Sequence, residues 1–82
     1  MRLDKYLKVS RIIKRRTVAN DAASGQRVSV NGRVVKPAYD VKVGDVIEIA
    51  FGERVLKVKV LAVPEHVRKE EAAALYEVLE SQ

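Results

Sequence analysis

Asn31-Gly32 separates two short β-prone runs, Val28-Ser29-Val30 and Arg33-Val34-Val35, and no other dipeptide in the chain constrains the fold as strongly. Both residues tolerate positive φ, which a two-residue turn of the I′ type requires at its two central positions. The pair predicts a tight antiparallel hairpin, and a hairpin needs further strands or helices to cover it. What lies on either side must supply that cover.

Upstream, residues 2–8 predict a short helix, with Leu3 and Leu7 at i, i+4 on one face and Arg2, Lys5 and Lys8 beside it. Asp4 falls in its first turn, where a carboxylate suits the helix dipole. Ser10 and Arg11 break the pattern. A second helix is expected from Lys14 to Ser24, with Val18, Ala19, Ala22 and Ala23 as a narrow apolar face and Gly25 as its stop. Downstream, residues 36–45 read as an irregular crossing that ends in a Gly44-Asp45 turn. Val46 to Phe51 and residues 54–63 alternate as two longer strands joined at Gly52-Glu53, and Pro64 ends the sheet. The spacing of Ala72, Leu75, Tyr76 and Leu79 predicts a C-terminal helix over 67–80, with Glu70, Glu71, Glu77 and Glu80 outside. The fold class is α+β: two short basic helices packed on a small twisted, mostly antiparallel sheet, with a C-terminal helix. At 82 residues without a linker or repeat, one domain is expected over 1–82, its core motif at 2–49.

Charge is distributed as unevenly as structure. Ten of the sixteen basic residues fall in the first 36 positions, against two acids, Asp4 and Asp21; the other 46 residues hold six bases and nine acids. The net charge of +5 therefore divides into +8 and −3. Such a field attracts polyanions, because each phosphate neutralised releases condensed counterions. Membrane binding is the poorer account, since the basic segment has no Trp or Phe cluster for an interfacial helix to bury. No run approaches the ~18 apolar residues of a membrane span, and Met1-Arg2-Leu3-Asp4-Lys5 is no signal sequence. With no cysteine in the chain, a cytoplasmic location is expected.

Arginine binds phosphate through a planar fork that stays charged at any relevant pH. Arg2, Arg11, Arg15 and Arg16, on two adjacent short helices, are placed to straddle one RNA backbone, with Lys5, Lys8 and Lys14 adding less directional attraction. Arg33 and Lys36 either extend this strip beyond the hairpin or keep an exposed strand edge charged. Asp4 either orients an arginine by a salt bridge or caps the helix. Tyr6 either stacks on a base or closes the core beside Leu3 and Leu7. His66 has no second His, no Cys and no paired acid near it, so neither a metal nor acid–base catalysis is expected. No cofactor is expected, and the chain reads as a binding protein without enzymatic activity.

Several short motifs stand in a telling order: Arg2-Leu3-Asp4, then Arg16 and Ala19, then Val28-x-Val30-Asn31-Gly32, Lys36-Pro37 and Gly44-Asp45-x-Ile47. Together, over residues 2–49, they resemble the S-four-type RNA-binding domain, with its alpha-L motif of two helices and a small sheet. A narrower likeness spans nearly the whole chain. Met1 to Arg11, Lys14-Arg15-Arg16-Thr17, Phe51-Gly52 and Lys69-Glu70-Glu71-Ala72-Ala73 are similar to the bacterial RqcP (YabO) family; a further relative is the small ribosome-associated heat-shock protein of proteobacteria. The resemblance implies binding of structured RNA, both large-subunit rRNA and peptidyl-tRNA, on obstructed large ribosomal subunits. It also implies support for C-terminal tailing of the stalled peptide by a factor of the RqcH type, by a protein expected to be a monomer. It places Arg2 and Arg16 in the RNA site. Two residues depart from the family pattern. Gln26 stands where the family has Gly, with Gly25 one place earlier, and Arg15 replaces a Ser that would cap the second helix. Alternatives are a general ribosome-assembly or heat-shock factor, or a small DNA-binding regulator that uses the two helices as a helix-turn-helix, for which only Asn20 is suited to reading a base.

Overall fold

Alternation of apolar side chains over 46–60 gives the sheet its centre. In the computed structural model, which describes residues 1–81, β3 (Val46–Phe51) and β4 (Arg54–Val60) pair antiparallel with Ile47 opposite Val58 and Ile49 opposite Leu56. The Asn31-Gly32 hairpin forms as expected: β1 (Val28–Val30) and β2 (Arg33–Val34) pair Val30 with Arg33, and both turn residues have positive φ, 52° and 84°. β1 then pairs with β3, and with a last strand β5 (Tyr76–Ser81) beside β4 the strand order is β2-β1-β3-β4-β5, all antiparallel. Asn31 does more than turn the chain. Its side-chain oxygen accepts Val46 N–H at 3.0 Å and its amide donates to Asp45 at 3.1 Å, which pins the hairpin tip to the start of β3.

Both N-terminal helices form, each starting slightly later than its residue pattern implies. α1 spans Leu3–Val9, and Arg2 is the extended residue before it. The reason is tertiary: Leu3 N–H donates to Tyr39 O and Val41 N–H to Met1 O, each at 2.8 Å, so Arg2 pairs strand-like with Asp40. α2 spans Arg16–Ser24, leaving Lys14 and Arg15 outside; Arg15 occupies the N-cap and makes no side-chain capping bond. Leu3, Tyr6 and Leu7 of α1 are buried in one cluster with Val28, Val41, Ile47, Ile49, Val58 and Val60. α2 reaches the core through Ala19, Ala22 and Ala23, whose small side chains allow close approach. Val18, assigned to that face by spacing, lies at its rim and is 48% exposed.

The C-terminal element differs in extent and kind from the helix expected over 67–80. A 3-10 helix spans Lys69–Leu75, and Tyr76–Ser81 is strand β5. Ala72 and Leu75 are buried as the spacing implies, whereas Leu79 is 46% exposed. β4 would otherwise end the sheet with a row of unpaired peptide groups, a costly arrangement for a strand this apolar. β5 satisfies them, with Lys59 opposite Glu77 and Lys57 opposite Glu80, opposite charges that favour the pairing. β4 itself stops at Val60, three residues short of the expected end. Tyr6 is wholly buried and its hydroxyl donates to Leu75 O at 2.7 Å, tying α1 to the end of the 3-10 helix. It is a core residue and is not available to stack on a base.

The exit of α2 shows how the Gly25-Gln26 exchange is accommodated. Gln26 takes φ +62° while Gly25 stays at −81°. Gln26 N–H donates to Ala23 O at 3.1 Å and Arg27 N–H to Ala22 O at 3.0 Å, the paired bonds of a Schellman cap. The left-handed position is thus held by a residue with a Cβ, at a cost of roughly 1 kcal/mol relative to glycine. Gln26→Gly is expected to raise the melting temperature by about 4–8 °C. A thermal melt with no rise would mean that the unfolded-state entropy of glycine cancels the relief of strain.

Candidate nucleic-acid interface

Asp4 is the centre of the charged face. Its carboxylate is 3% exposed and sits in the first turn of α1, where it accepts Lys5 N–H at 2.8 Å. Arg2 Nε and Nη2 each donate to it at 3.2 Å, one to each oxygen. Arg16 Nη2 at the start of α2 approaches at 3.5 Å, and Asn20 Nδ2, one turn further along, at 3.3 Å. Ser24 Oγ contacts Asn20 Oδ1 at 3.4 Å, extending the row along α2. Burial pushes the Asp4 carboxyl up, but the hydrogen bonds from Asn20, Arg2 and the Lys5 amide, with the Arg16 charge, outweigh it and hold its pKa below the ordinary value. The group is therefore an anion at neutral pH.

The consequence is geometric. The two arginine side chains are about half exposed, at 51% and 49%, while the anion that holds them is hidden. Arg2 spends two of its five N–H donors on Asp4 and Arg16 one, so both keep donors for an incoming phosphate. Of the two roles open to Asp4, the structure takes the first: it orients both arginines, and it also accepts a first-turn amide. Asn20 was suited by type to reading a base, but its amide is turned inward onto Asp4, which removes the main argument for a helix-turn-helix reader of DNA. Asn20 is the member of this cluster that sequence reasoning misses as a positioning residue. Its i+4 spacing from Arg16, and that of Ser24 from Asn20, is the only local hint.

The remaining basic residues fall into separate groups. Lys8, in the last turn of α1, and Arg11 and Lys14, in the connection to α2, line one crevice together with Val9, Val67 and Lys69. Arg11 is thus grouped with these lysines, not with Arg2 and Arg16. Lys5 is half-buried on α1, and Arg15 is exposed between the two groups; neither makes a side-chain ion pair among the described residues. Arg33 is exposed on the edge strand β2, and Lys36 lines a shallow groove with Ser24, Gln26, Val34 and Pro37. Pro37 O accepts Asp4 N–H at 3.2 Å, so the residue after Lys36 touches the start of α1. Among the described residues no His, Cys, Asp and Glu cluster fit to hold a metal occurs, and no helix is long and apolar enough to cross a membrane.

Comparison with known proteins matches residues 1–47 to the S4 domain family. The RQC P-site tRNA stabilizing factor of Streptococcus pneumoniae is 56% identical over 79 residues, covering 96% of this chain and 90% of that protein. Its namesake from Bacillus subtilis is 46% identical over 82 residues, covering 100% and 95%. Among solved structures, the trimeric heat shock protein 15 of Vibrio cholerae superposes with a TM-score of 0.87 at 30% identity, over 95% of this chain and 80% of that one.

Proposed function

This chain belongs to the S4 domain family, among the RQC P-site tRNA stabilizing factors, and from that premise we propose that it binds tRNA and ribosomal RNA in ribosome-associated quality control, without enzymatic activity of its own. The finer reading is that it recognises obstructed large subunits that still carry peptidyl-tRNA. There it steadies the tRNA while an RqcH-type factor tails the stalled peptide. The observation that carries the RNA-binding reading is the Asp4 cluster: a hidden carboxylate fixing two half-exposed arginines, one just before α1 and one at the start of α2. Loose surface arginines lose side-chain entropy on binding, whereas these are held before the RNA arrives, so less is lost per contact. Both guanidinium groups contact one carboxylate, so they are close enough to meet the same stretch of RNA backbone, and folded RNA is read by shape without a base-specific motif. Arg2, Arg16, Lys5, Arg15, Arg33 and Lys36 form the proposed contact strip, with Asp4 positioning.

Sucrose-gradient sedimentation of a lysate tests the reading. The protein is expected in fractions of large subunits bearing peptidyl-tRNA, in excess over intact ribosomes and free small subunits. Even spread across the gradient, or absence from ribosomal fractions, would sink it. The likeness to heat shock protein 15 keeps one second reading, a general RNA-binding ribosome-assembly or heat-shock factor. That role predicts enrichment that rises with heat and does not depend on an active tailing factor.

A further inference from the structure

Four cations from three parts of the chain meet at a crevice separate from Asp4. Lys8 closes α1, Arg11 and Lys14 lie in the following connection, and Lys69 opens the 3-10 helix; with Val9 and Val67 they line a cavity of about 170 Å³. None of the four has an ion pair among the described residues. The nearest acids in sequence do not supply one. Glu71 pairs with Arg68 at 3.9 Å, and Glu70 and Glu71 line a different hollow, with His66 and Ala74. All four are exposed, so water and salt screen much of their mutual repulsion, and a bound anion relieves what remains. Arg11 also holds φ +62°, a conformation that disfavours a non-glycine residue, and its N–H closes α1 onto Lys8 O at 3.0 Å. A glycine would fit that backbone with less strain, but would leave the crevice without its only guanidinium. Val9 and Val67, both partly buried, give the crevice an apolar side, beside which charge interactions are less screened than in open solvent.

We propose that this crevice binds a phosphate group, with Lys69 as a ligand supplied from beyond the segment that matches the S4 domain. Occupied by a backbone phosphodiester, it anchors the C-terminal part of the chain to the same RNA, and in that form it rests on the RNA-binding reading above. A free polyphosphate offers the same chemistry. The test measures binding of the full chain to large subunits over a series of salt concentrations, for the parent, Lys69→Gln, Arg16→Ala and the β4 control Lys59→Ala. Loss of one phosphate contact flattens the log–log slope by about 1 and costs roughly fivefold in affinity near 0.15 M salt. We expect this for Lys69→Gln and not for Lys59→Ala, which assigns RNA as the source. An unchanged slope for Lys69→Gln, with saturable pyrophosphate-induced shifts of the Arg11 and Lys69 amide resonances that vanish in Lys69→Gln, assigns a free polyphosphate instead. An unchanged slope without a saturable pyrophosphate response overturns the proposal. An effect of Lys69→Gln without one of Arg16→Ala keeps the crevice and refutes the Asp4 site.

Discussion

Arg2→Ala and Arg16→Ala are each expected to weaken binding to large subunits roughly 10- to 150-fold, the equivalent of about 1.5–3 kcal/mol for a charge-assisted hydrogen bond. Their folding cost is much smaller. When either arginine is removed, Asp4 keeps the Lys5 amide, Asn20 and the other arginine. The buried carboxylate is therefore never left unpaired, the situation in which such losses become severe. A drop of about 1 kcal/mol or less, some 4–8 °C in melting temperature, is the expected limit. It should be smaller for Arg16, whose contact is the longest at 3.5 Å. Arg16→Lys is the informative companion. It keeps the charge, and so the salt slope, but loses the fork, so affinity should stay reduced. Full affinity in Arg16→Lys would mean that the face acts as diffuse charge. Unfolding of either alanine variant at growth temperature would mean that the cluster is chiefly structural.

Asp4→Asn should weaken RNA binding although it removes a negative charge. The Asp4 carboxylate is hidden and contacted by both guanidinium groups, so an incoming phosphate meets the cations first and its repulsion by the carboxylate is the weaker effect. Releasing two arginines from fixed positions costs more, about 1–2 kcal/mol or a factor of 5–30. The net effect is therefore loss, and tighter binding by Asp4→Asn would show that the arginines need no positioning. Acid tests the same carboxylate. Because its folded pKa is depressed, the stability that Asp4 contributes is complete above its unfolded value of about 3.9 and disappears as pH falls through the lower folded value. From pH 5 to 8 the cluster should be unchanged. Below about pH 4 the stability difference between the parent and Asp4→Asn should shrink. Urea midpoints measured across that range check the sign; a difference that grows on acidification would contradict the assignment.

Where the physics is local, residues alone carried the structure. Asn31-Gly32 set a two-residue turn, and alternation over 46–60 set two paired strands, because positive φ and a period of two are properties of neighbouring residues. The basic N-terminal third was legible for the same reason, since charge adds along a chain whatever its fold. The C-terminal segment was not. Ala72, Leu75, Tyr76 and Leu79 satisfy a helical spacing, but Tyr76-Glu77-Val78 satisfies a strand equally well, and only the free edge of β4 decides between them.

The site divides along the same line. Sequence by itself determined which residues carry charge and that Asp4 lies among arginines, for these follow from residue type and order. Only the tertiary structure decided how they are used. The pairing of residues 1–3 with 39–41 draws Arg2 out of the helix, and the close approach of α2, through alanines, brings Arg16 and Asn20 to a carboxylate twelve and sixteen positions away. Lys69 lines the same crevice as Arg11, from which it is separated by 58 positions of sequence. Contacts at such separations depend on how whole elements pack, and packing energies are summed over many weak apolar contacts that no short motif records.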